Sequence, residues 1–348
     1  MPLKNCSSAD LEVCQSKQDW HPVLPFRLRH SRGGGNTQFC AFDEMDISVI
    51  IVNWNTRDLL RGCLESVFKT ICDVSYEIIV VDNASRDGSV AMLKEKYPQI
   101  RLIQNKVNRG FGAANNQGMR IMTGRYALLL NSDTVLTDNA VRELHTFMET
   151  HPEAAMVCGQ LLNADGSKQN SIASFPNLVT LLTNTSLLEY LFPRSYPSKR
   201  YSYDKPIEIE SCVGACFLVR KKAIEEVGMF DERYFFFFEE TDWAHQMRNA
   251  GWKIFHVPTA FIYHLQGRSI GRDIRSRIEY YRARYQFFRK WKSRPYYILV
   301  RFVIMLRLCI NLLLTSLAGI MTAGMNKELR DKWVVYSQLI IWHFRFKS

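Results

Sequence analysis

Apolar residues between positions 46 and 158 form two kinds of pattern that alternate along the chain. Short runs of β-branched and aliphatic residues are typical of strands buried on both faces of a sheet. They occupy residues 46–53, 76–81, 100–104, 125–130 and 154–158. Between them, apolar residues recur at intervals of three and four, which predicts amphipathic helices. These segments are 57–70, 87–97, 110–122 and 138–150.

Strands that alternate with helices at this spacing predict right-handed βαβ units, and therefore an α/β fold with a mostly parallel sheet. After residue 160 the pattern is less regular. We interpret residues 161–205 as an excursion from the sheet, a place where acceptor specificity often lies. Strand-like and helical segments then return at 206–219, 221–227, 240–249, 253–257 and 260–263.

Polar clusters end three of the predicted strands. In open sheets of this kind, ligands bind beyond the carboxyl ends of the strands. The clusters are therefore candidate site residues as well as turn residues. They are Asn53-Trp54-Asn55, Asp82-Asn83 and Asn131-Ser132-Asp133.

Four phenylalanines, Phe235 to Phe238, are followed at once by the acids Glu239, Glu240 and Asp242. The rings favour burial, and the acids favour water, a metal or a partner. We expect a buried strand that ends in a cleft, with the acids opening a helix whose N-terminus favours negative charge. A core strand followed by an ordinary acidic first helical turn is the alternative that this stretch leaves open.

The spacing of these acids distributes them around the helix. Glu239 and Asp242 share a face, and Glu240 points elsewhere. One acid can therefore face an acceptor while the others orient arginines or backbone groups.

Asp82 follows the apolar run that precedes it directly. A carboxylate at a strand end can accept a hydrogen bond from N3–H of uracil or thymine, a donor that cytosine and adenine lack in this place. An Asx-turn is the structural alternative. The downstream segment 108–118 is rich in Gly and Asn before a helix, which suits close approach to phosphate or ribose. It lacks the third glycine of a dinucleotide-binding fingerprint.

Asp133 lies two residues beyond a buried strand. One such carboxylate, together with diphosphate oxygens and water, is a typical way to hold Mg²⁺ or Mn²⁺. A helix cap is the alternative, although Asp138 is better placed for it. His264 ends a later strand and is a candidate ligand, or else a structural histidine.

Charge is concentrated in the last part of the chain. The 348-residue sequence carries a net charge of +11. Residues 265–348 contain 17 Lys and Arg against four acids, a balance of +13, which leaves −2 for the rest. Such asymmetry suggests a polyanionic partner. The nine cysteines include no C-x-x-C pair, and no leading apolar segment is present, so we expect reduced thiols in a cytosolic compartment.

Three regions follow from these patterns. We predict a flexible leader at 1–45, a catalytic domain at 46–270 and a basic, apolar helical extension at 271–348 that associates with membranes. Within the extension, residues 268–294 hold ten basic residues with interleaved aromatics, and residues 296–321 are strongly apolar. This combination favours a helix lying on an anionic membrane surface. A single membrane span and a packed helical subdomain remain open. Nucleic acid would not account for the apolar run, so no nucleic-acid partner is expected.

Six motifs in order resemble those of family 2 glycosyltransferases, and within them the bacterial rhamnosyltransferase-like branch. The resemblance covers residues 46–271. The motifs are Val49-Ile50-Ile51-Val52-Asn53-Trp54-Asn55, Val80-Val81-Asp82-Asn83-Ala84-Ser85, Asn108-Arg109-Gly110-Phe111-Gly112, Leu129-Leu130-Asn131-Ser132-Asp133, Gly214-Ala215-Cys216, and Phe230-Asp231-Glu232 with Glu239-Glu240-Thr241-Asp242-Trp243.

The resemblance implies a GT-A fold with a Rossmann-like sheet, a nucleotide-diphosphate sugar donor, a divalent metal (Mg²⁺ or Mn²⁺) and inversion at the anomeric carbon. By position, Asp82 would bind the base, Asp133 the metal, and His264 the metal or the diphosphate. Glu240 would be the general base, with Glu239 and Asp242 beside it, and Glu239 is the alternative for that role. Asn131 stands where the family motif has its first Asp. The expected donor-binding residues are Asn53, Asn55, Asp82, Asn83, Asn108, Gly110, Asn115, Asn131, Ser132 and Asp133.

The function expected from the resemblance is transfer of a sugar, rhamnose first, from a dTDP- or UDP-sugar to a lipid-linked or polysaccharide acceptor. The expected location is the cytoplasmic face of the inner membrane, peripheral or monotopic, with a single-pass protein as the alternative. A non-catalytic membrane or nucleic-acid binding module that keeps a nucleotide-sugar fold is the second hypothesis. A dinucleotide-dependent oxidoreductase is a third, which the missing glycine disfavours.

Overall fold

The computed structural model describes residues 45–183, 185–193, 196, 203–265, 274–322 and 325–346. The predicted leader at 1–45 therefore lies outside the described residues, except for its last position. The segment 266–273, which joins the predicted domain to the extension, is also outside them.

Eleven strands and eleven helices make up the described part of the chain. The strands are β1 (Ile47–Asn53), β2 (Tyr76–Asp82), β3 (Arg101–Gln104), β4 (Tyr126–Asn131), β5 (Thr134–Leu136), β6 (Ala154–Leu162), β7 (Ile172–Ala173), β8 (Ile207–Glu208), β9 (Ser211–Cys212), β10 (Cys216–Arg220) and β11 (Lys253–His264). The helices are α1 (Arg57–Thr70), α2 (Ser89–Lys96), α3 (Phe111–Ile121), α4 (Ala140–Thr150), α5 (Leu178–Leu182), α6 (Thr185–Leu191), α7 (Lys221–Val227), α8 (Glu239–Asn249), α9 (Ile274–Trp291), α10 (Arg294–Met321) and α11 (Lys327–Arg345).

A nine-stranded sheet forms the centre of the fold. Its order is β3-β2-β1-β4-β10-β6-β11-β5, and β8 pairs with β11 beside this path. The four strands from β3 to β4 are parallel, as predicted. Strand β10 then runs antiparallel to both β4 and β6, while β6 and β11 are parallel. The sheet is therefore mixed, with its parallel part on the N-terminal side.

The register of β1, β2 and β4 places three polar clusters at one edge of the sheet. Asn53 pairs with Asp82, and Val52 pairs with Asn131. The strand interiors are buried because their aliphatic residues pack on both faces, against two separate apolar clusters. Because both faces of the sheet are covered, a ligand can approach these strands only at their ends, and the polar clusters lie at the carboxyl ends.

The Phe235–Phe238 stretch is not a strand, contrary to the sequence prediction. Phe237 and Phe238 have φ values of 71° and 67°, a left-handed backbone that a strand does not accommodate. The carbonyl of Phe235 accepts from N–H of Phe111, at the start of α3, with a distance of 2.9 Å. The stretch is thus a turn that leads directly into α8.

The two predicted strands at 253–257 and 260–263 are one strand, β11. Its pairing with β6 changes register between Val257 and Phe261. Pro258 lies in this interval and has no N–H to donate, which explains the interruption seen in the sequence pattern. The short strand β5 follows Asp133 directly and was not predicted. It pairs with the end of β11 and brings His264 opposite Thr134.

Helices α9, α10 and α11 form the C-terminal extension around their own apolar cluster, which includes Tyr285, Phe288 and Ile304. A second cluster joins α9 to the turn before α8, where Phe287 packs with Tyr234 and Phe238. The extension is therefore packed against the sheet domain through α9.

Candidate active site

A chain of hydrogen bonds crosses the carboxyl ends of β2, β1 and β4. Asn53 Nδ2 donates to Asp82 Oδ1 at 2.9 Å, and Thr56 Oγ1 donates to Asn53 Oδ1 at 2.7 Å. Thr56 Oγ1 also lies 2.7 Å from Ser132 Oγ. Because the single hydroxyl proton of Thr56 is used on Asn53, Ser132 is the donor in this pair. Asp82 is thereby connected to the residue that precedes Asp133.

Asp82 is fully buried. Its Oδ2 accepts from N–H of Ser85 at 3.0 Å, and Ser85 Oγ accepts from Asn53 Nδ2 and from N–H of Asn55. The side-chain turn that the sequence offered as the alternative is therefore present. Each carboxylate oxygen has two lone pairs, so Asp82 keeps acceptor capacity beyond these bonds.

Asn83 holds the loop before α3. Its Nδ2 donates to Asn108 Oδ1 at 2.9 Å and to the Gly110 carbonyl at 3.1 Å, and its Oδ1 accepts from N–H of Arg109 at 3.1 Å. Asn108 Oδ1 also accepts from N–H of Gly110 at 2.9 Å. The loop is therefore fixed from the end of β2. Two more predicted donor residues have protein partners: Asn115 donates to the Phe111 carbonyl, and Asn55 accepts from N–H of Arg86.

Gly110 joins this loop to the turn before α8. Its φ is +87°, and a Cβ at this position would clash with the Phe235 carbonyl. Only glycine combines that backbone conformation with so close an approach. The predicted donor loop and the acid-bearing turn are therefore in direct backbone contact.

Asp133 and His264 form the candidate metal pair. Asp133 Oδ1 lies 3.4 Å from His264 Nε2, and both side chains are buried. Gln169 Nε2 donates to the His264 carbonyl at 2.5 Å, which fixes the orientation of the amide. Gln169 Oε1 then faces His264 Nδ1 at 3.1 Å, so Nδ1 carries the proton in this pair.

This tautomer leaves the Nε2 lone pair of neutral His264 facing the Asp133 carboxylate. Two electron-rich atoms at 3.4 Å are stabilised by a cation between them or by a proton on Nε2. Within the described ranges, no group of three or more His, Cys, Asp and Glu side chains is arranged to hold a metal. A carboxylate and an imidazole suit an ion whose other ligands are diphosphate oxygens and water.

The two glutamates that open α8 have different surroundings. Glu239 is buried against Gly112 of α3, and its Oε2 has no hydrogen-bond partner among the described residues. Burial, and then the neighbouring charge of Glu240, raise the pKa of Glu239 well above its usual range. Glu240 is half-buried and lies next to Gly214. Burial raises the pKa of Glu240 to about 7. Backbone N–H groups stabilise the carboxylate and offset part of this rise.

Glu240 is also close to the end of β4. N–H of Asn131 donates to the Ala215 carbonyl at 2.9 Å, and Gly214 precedes Ala215. Small residues at 214 and 215 thus lie between the strand that leads to Asp133 and the carboxyl of Glu240.

Asp242 has four side-chain partners and no exposed surface. Its Oδ2 accepts from Lys290 Nζ at 2.6 Å and from Gln246 Nε2 at 2.7 Å. Its Oδ1 accepts from Trp291 Nε1 at 2.6 Å and from Tyr234 OH at 3.2 Å. These contacts attach α9 to the helix that carries Glu240.

Four residues with a part in this site were not identified from the sequence: Thr56, Ser85, Gln169 and Lys290. Ser85 lies inside a quoted motif, and Thr56 follows another by one residue, so proximity to a strand-end cluster could have suggested both. Gln169 and Lys290 bond to partners 95 and 48 residues away. No local pattern points to them.

The arrangement brings together a carboxyl whose pKa is near neutrality, a polar edge that can surround a nucleotide, and a ligand pair suited to a divalent ion. A carboxylate in that range can take a proton from a hydroxyl at neutral pH. Together these features suit a reaction in which a group is transferred from an anionic leaving group to an alcohol.

Comparison with known proteins agrees with this chemistry. The family model described as glycosyl transferase family 2 matches residues 48–228. An N-acetylglucosaminyl-diphospho-decaprenol L-rhamnosyltransferase of Mycobacterium tuberculosis is 27% identical over 242 residues, which cover 65% of this chain and 78% of that protein. The low-salt glycan biosynthesis hexosyltransferase Agl10 of Haloferax volcanii is 26% identical over 207 residues, 58% of this chain and 62% of that protein.

The fold is also found among solved structures. The crystal structure of GalNAc-T7 with UDP, GalNAc and Mn²⁺ superposes with a TM-score of 0.51 at 16% identity, over 64% of this chain and 43% of that one. This match confirms the predicted GT-A architecture, and the C-terminal helices of the prediction are present as well. Because the family model spans more than half of the sequence, the chain belongs to glycosyl transferase family 2.

Proposed function

We propose that the chain is an inverting glycosyltransferase that moves a sugar from a dTDP- or UDP-sugar to a hydroxyl of a lipid-linked or polysaccharide acceptor. Rhamnose is the first sugar to test, because a relative is named for its transfer. The observation that carries the proposal is the position of Glu240 beside Gly214, next to the end of strand β4 that leads to Asp133. Burial raises the pKa of this carboxyl to about 7, which suits a general base and is not needed in a binding module.

Glu240 is the proposed general base. Its carboxylate takes the proton of the acceptor hydroxyl as that oxygen attacks the anomeric carbon opposite the leaving diphosphate. Burial and the adjacent charge of Glu240 raise the pKa of Glu239 well above its usual range and so disfavour its ionised form, the form that a general base needs. This difference favours Glu240 over Glu239 in the choice between the two.

Asp242 is proposed to position Glu240 and to take no direct part in the reaction. All four of its partners come from the protein, and two of them belong to α9. It fixes the first turn of α8 and thereby the direction of the Glu240 side chain.

The donor is proposed to lie along the edge formed by β2, β1 and β4. Asp82 accepts from N3–H of the base, and the loop fixed by Asn83 lies beside the sugar and phosphate. Asp133 and His264 would hold Mg²⁺ or Mn²⁺, which offsets negative charge on the leaving diphosphate when bound. The crystal structure of GalNAc-T7 with UDP, GalNAc and Mn²⁺ supports this choice of ligands.

We propose that the extension lies on the cytoplasmic face of the membrane. Helix α10, Arg294–Met321, is by length and composition the one helix in the described ranges that could cross a membrane. Its outer side carries exposed apolar residues, among them Phe302, Leu313 and Ile320. The basic helix α9 precedes it, a combination that favours anionic lipid. A relative whose name includes decaprenol supports an acceptor carried by lipid.

The deciding experiment measures nucleoside-diphosphate release by the full chain from a panel of dTDP- and UDP-sugars. Each donor is tested with and without Mn²⁺, and with polyprenyl-diphosphate-linked N-acetylglucosamine or a soluble polysaccharide as acceptor. We expect acceptor-stimulated release from one donor class and loss of that release in Glu240→Gln. Binding of a nucleotide sugar without release from any donor would establish a non-catalytic module instead.

A further inference from the structure

A groove of about 690 Å³ runs between the short helix α5 and the middle of α10. Volumes of about 300–1,000 Å³ are usual for sites that bind small molecules. Leu182 lines one side, and Leu306 and Ile310 line the other. These three apolar side chains are exposed to 70%, 48% and 47% respectively. The groove is therefore open, with apolar side chains on both sides and the polar side chains of Thr180, Thr183 and Arg307 beside them, and it is separate from the site around Glu240.

One cationic side chain, that of Arg307, belongs to the lining of the groove. Arg307 Nη1 donates to the Leu181 carbonyl at 3.0 Å, which places the guanidinium at the boundary between α5 and α10. A guanidinium has five N–H donors, so one bond to a carbonyl leaves most of its capacity. Neither α5 nor α10 contains an acidic residue. The groove thus combines hydrocarbon surface with a positive charge that no acid of α5 or α10 offsets, which is complementary to an amphiphile with an anionic head.

The groove is connected to the active site by one continuous segment. Gln169 bonds to His264 at one end of it, and Leu181 bonds to Arg307 at the other. Between them, the ring of Phe175 contacts that of His245 of α8, with centroids 4.9 Å apart and the ring planes tilted by 59°. Six residues separate Phe175 from Leu181 and span at most about 22 Å when fully extended. The groove therefore lies near α8, the helix that carries Glu240.

The groove also opens onto the apolar side of α10 that continues towards its C-terminus. Leu313, Leu317 and Ile320 follow Ile310 at helical spacing and are all exposed. A lipid hydrocarbon chain that enters from the interior of a membrane would contact this surface first and the groove next.

We propose that the groove binds the isoprenoid chain of a polyprenyl-phosphate-linked acceptor, with a phosphate of that carrier at Arg307. This inference rests on the proposed transferase function and narrows its acceptor to the lipid-linked class. A single flexible chain fills an elongated apolar groove, and the charge at its boundary selects a phosphate over a neutral alcohol. The acceptor sugar then extends from the phosphate along the 169–182 segment towards Glu240.

Direct binding tests this proposal without any transfer. The full chain in detergent micelles is photolabelled with a polyprenyl phosphate that carries a diazirine on its chain, and labelled peptides are mapped. We expect labelling on α5 and the facing part of α10, competed by unlabelled polyprenyl phosphate and not by phosphatidylglycerol. Equal competition by phosphatidylglycerol, or labelling spread along the whole of α10, would show a general lipid surface and overturn the proposal.

Two variants and a control sharpen the result. Ile310→Trp fills the groove, and loss of contact with two or so methylene groups weakens binding by about tenfold. Ile341→Trp, on α11 outside the groove and 50% exposed, is the matched control and should leave the affinity unchanged. Arg307→Gln should weaken binding of polyprenyl phosphate by about tenfold and leave binding of uncharged polyprenol unchanged. Equal effects of the two Trp variants would contradict the site.

The proposed function and this inference can fail separately. Transfer to a soluble acceptor without photolabelling in the groove would overturn the proposed isoprenoid-binding site. The proposed transferase function would still hold. Labelling in the groove with no release from any sugar donor would remove the catalytic role and retain a polyprenyl-phosphate site.

Discussion

His264 Nε2 faces Asp133 Oδ1 across 3.4 Å, while Gln169 accepts from Nδ1 on the other side of the imidazole and donates to the His264 backbone carbonyl. The amide of Gln169 thereby selects the tautomer in which Nε2 can act as a ligand. A side chain 95 residues away in sequence thus prepares the candidate metal pair.

Gln169→Ala is expected to weaken Mn²⁺ binding by about 10–100-fold, the usual effect of removing a partner that orients a ligating histidine. The measurement is electron paramagnetic resonance titration of Mn²⁺ in the presence of a nucleoside diphosphate. Gln104→Ala, at the exposed end of β3, is the control and should bind Mn²⁺ as the unchanged chain does. Equal affinity in both variants would remove Gln169 from the metal site.

Glu240→Gln is expected to lower kcat by about 10²–10⁴-fold, because general base catalysis contributes that much. In the unchanged chain, kcat should rise with pH through about 7, since the raised pKa keeps the carboxyl protonated below it. Glu225→Gln, an exposed acid on α7, should retain the unchanged profile. A pH step that survives in Glu240→Gln and disappears in Glu239→Gln would reverse the assignment.

Lys290→Ala leaves the fully buried Asp242 without its cation. Removing one partner of a buried pair costs about 3–5 kcal/mol, and because the Lys290 side chain is 22% exposed we expect the lower end, about 3 kcal/mol. Urea unfolding of the full chain measures the change. Arg289→Ala, the exposed neighbour on α9, should stay within about 0.5 kcal/mol. Similar losses for both would mean that general charge, and not this contact, stabilises the fold.

Gly110→Ala and Gly166→Ala separate backbone strain from steric contact. Both glycines have positive φ, +87° and +81°, but an added Cβ meets the Phe235 carbonyl only at Gly110 and open space at Gly166. Gly166→Ala should cost about 1 kcal/mol for the backbone alone. Gly110→Ala should cost a further ~1–3 kcal/mol from overpacking. If urea unfolding gave the same decrease in the free energy of unfolding for both variants, the contact with the turn before α8 would make no difference to stability.

The regular part of the fold could be predicted because its signals are local. Strands β1, β2 and β4 are apolar runs that end in polar clusters, and parallel pairing alone brings those clusters to one edge. The network from Asp82 to Ser132 follows from that placement.

What could not be predicted depends on backbone geometry or on distant partners. The apolar content of Phe235–Phe238 suggested a buried strand, but two left-handed residues turn the chain there, and their φ values leave no mark in an apolar pattern. Lys290 looked like one of many basic residues, because its contact with Asp242 forms only after α9 packs on α8. Gln169 lies in the irregular excursion, where no periodicity marks it.

The contacts of Asp242 also decide where this enzyme can be shortened. A soluble catalytic fragment cut at residue 271, the predicted domain boundary, would lose Lys290 and Trp291 and expose the aromatic cluster around Phe287. Helix α9 ends at Trp291, and α10 begins at Arg294. A fragment that ends at Lys292 would keep the partners of Asp242 and omit the apolar hairpin of α10 and α11. It would also uncover Tyr285 and Phe288, which are buried against α10 and α11, so the whole extension is best kept with the catalytic part.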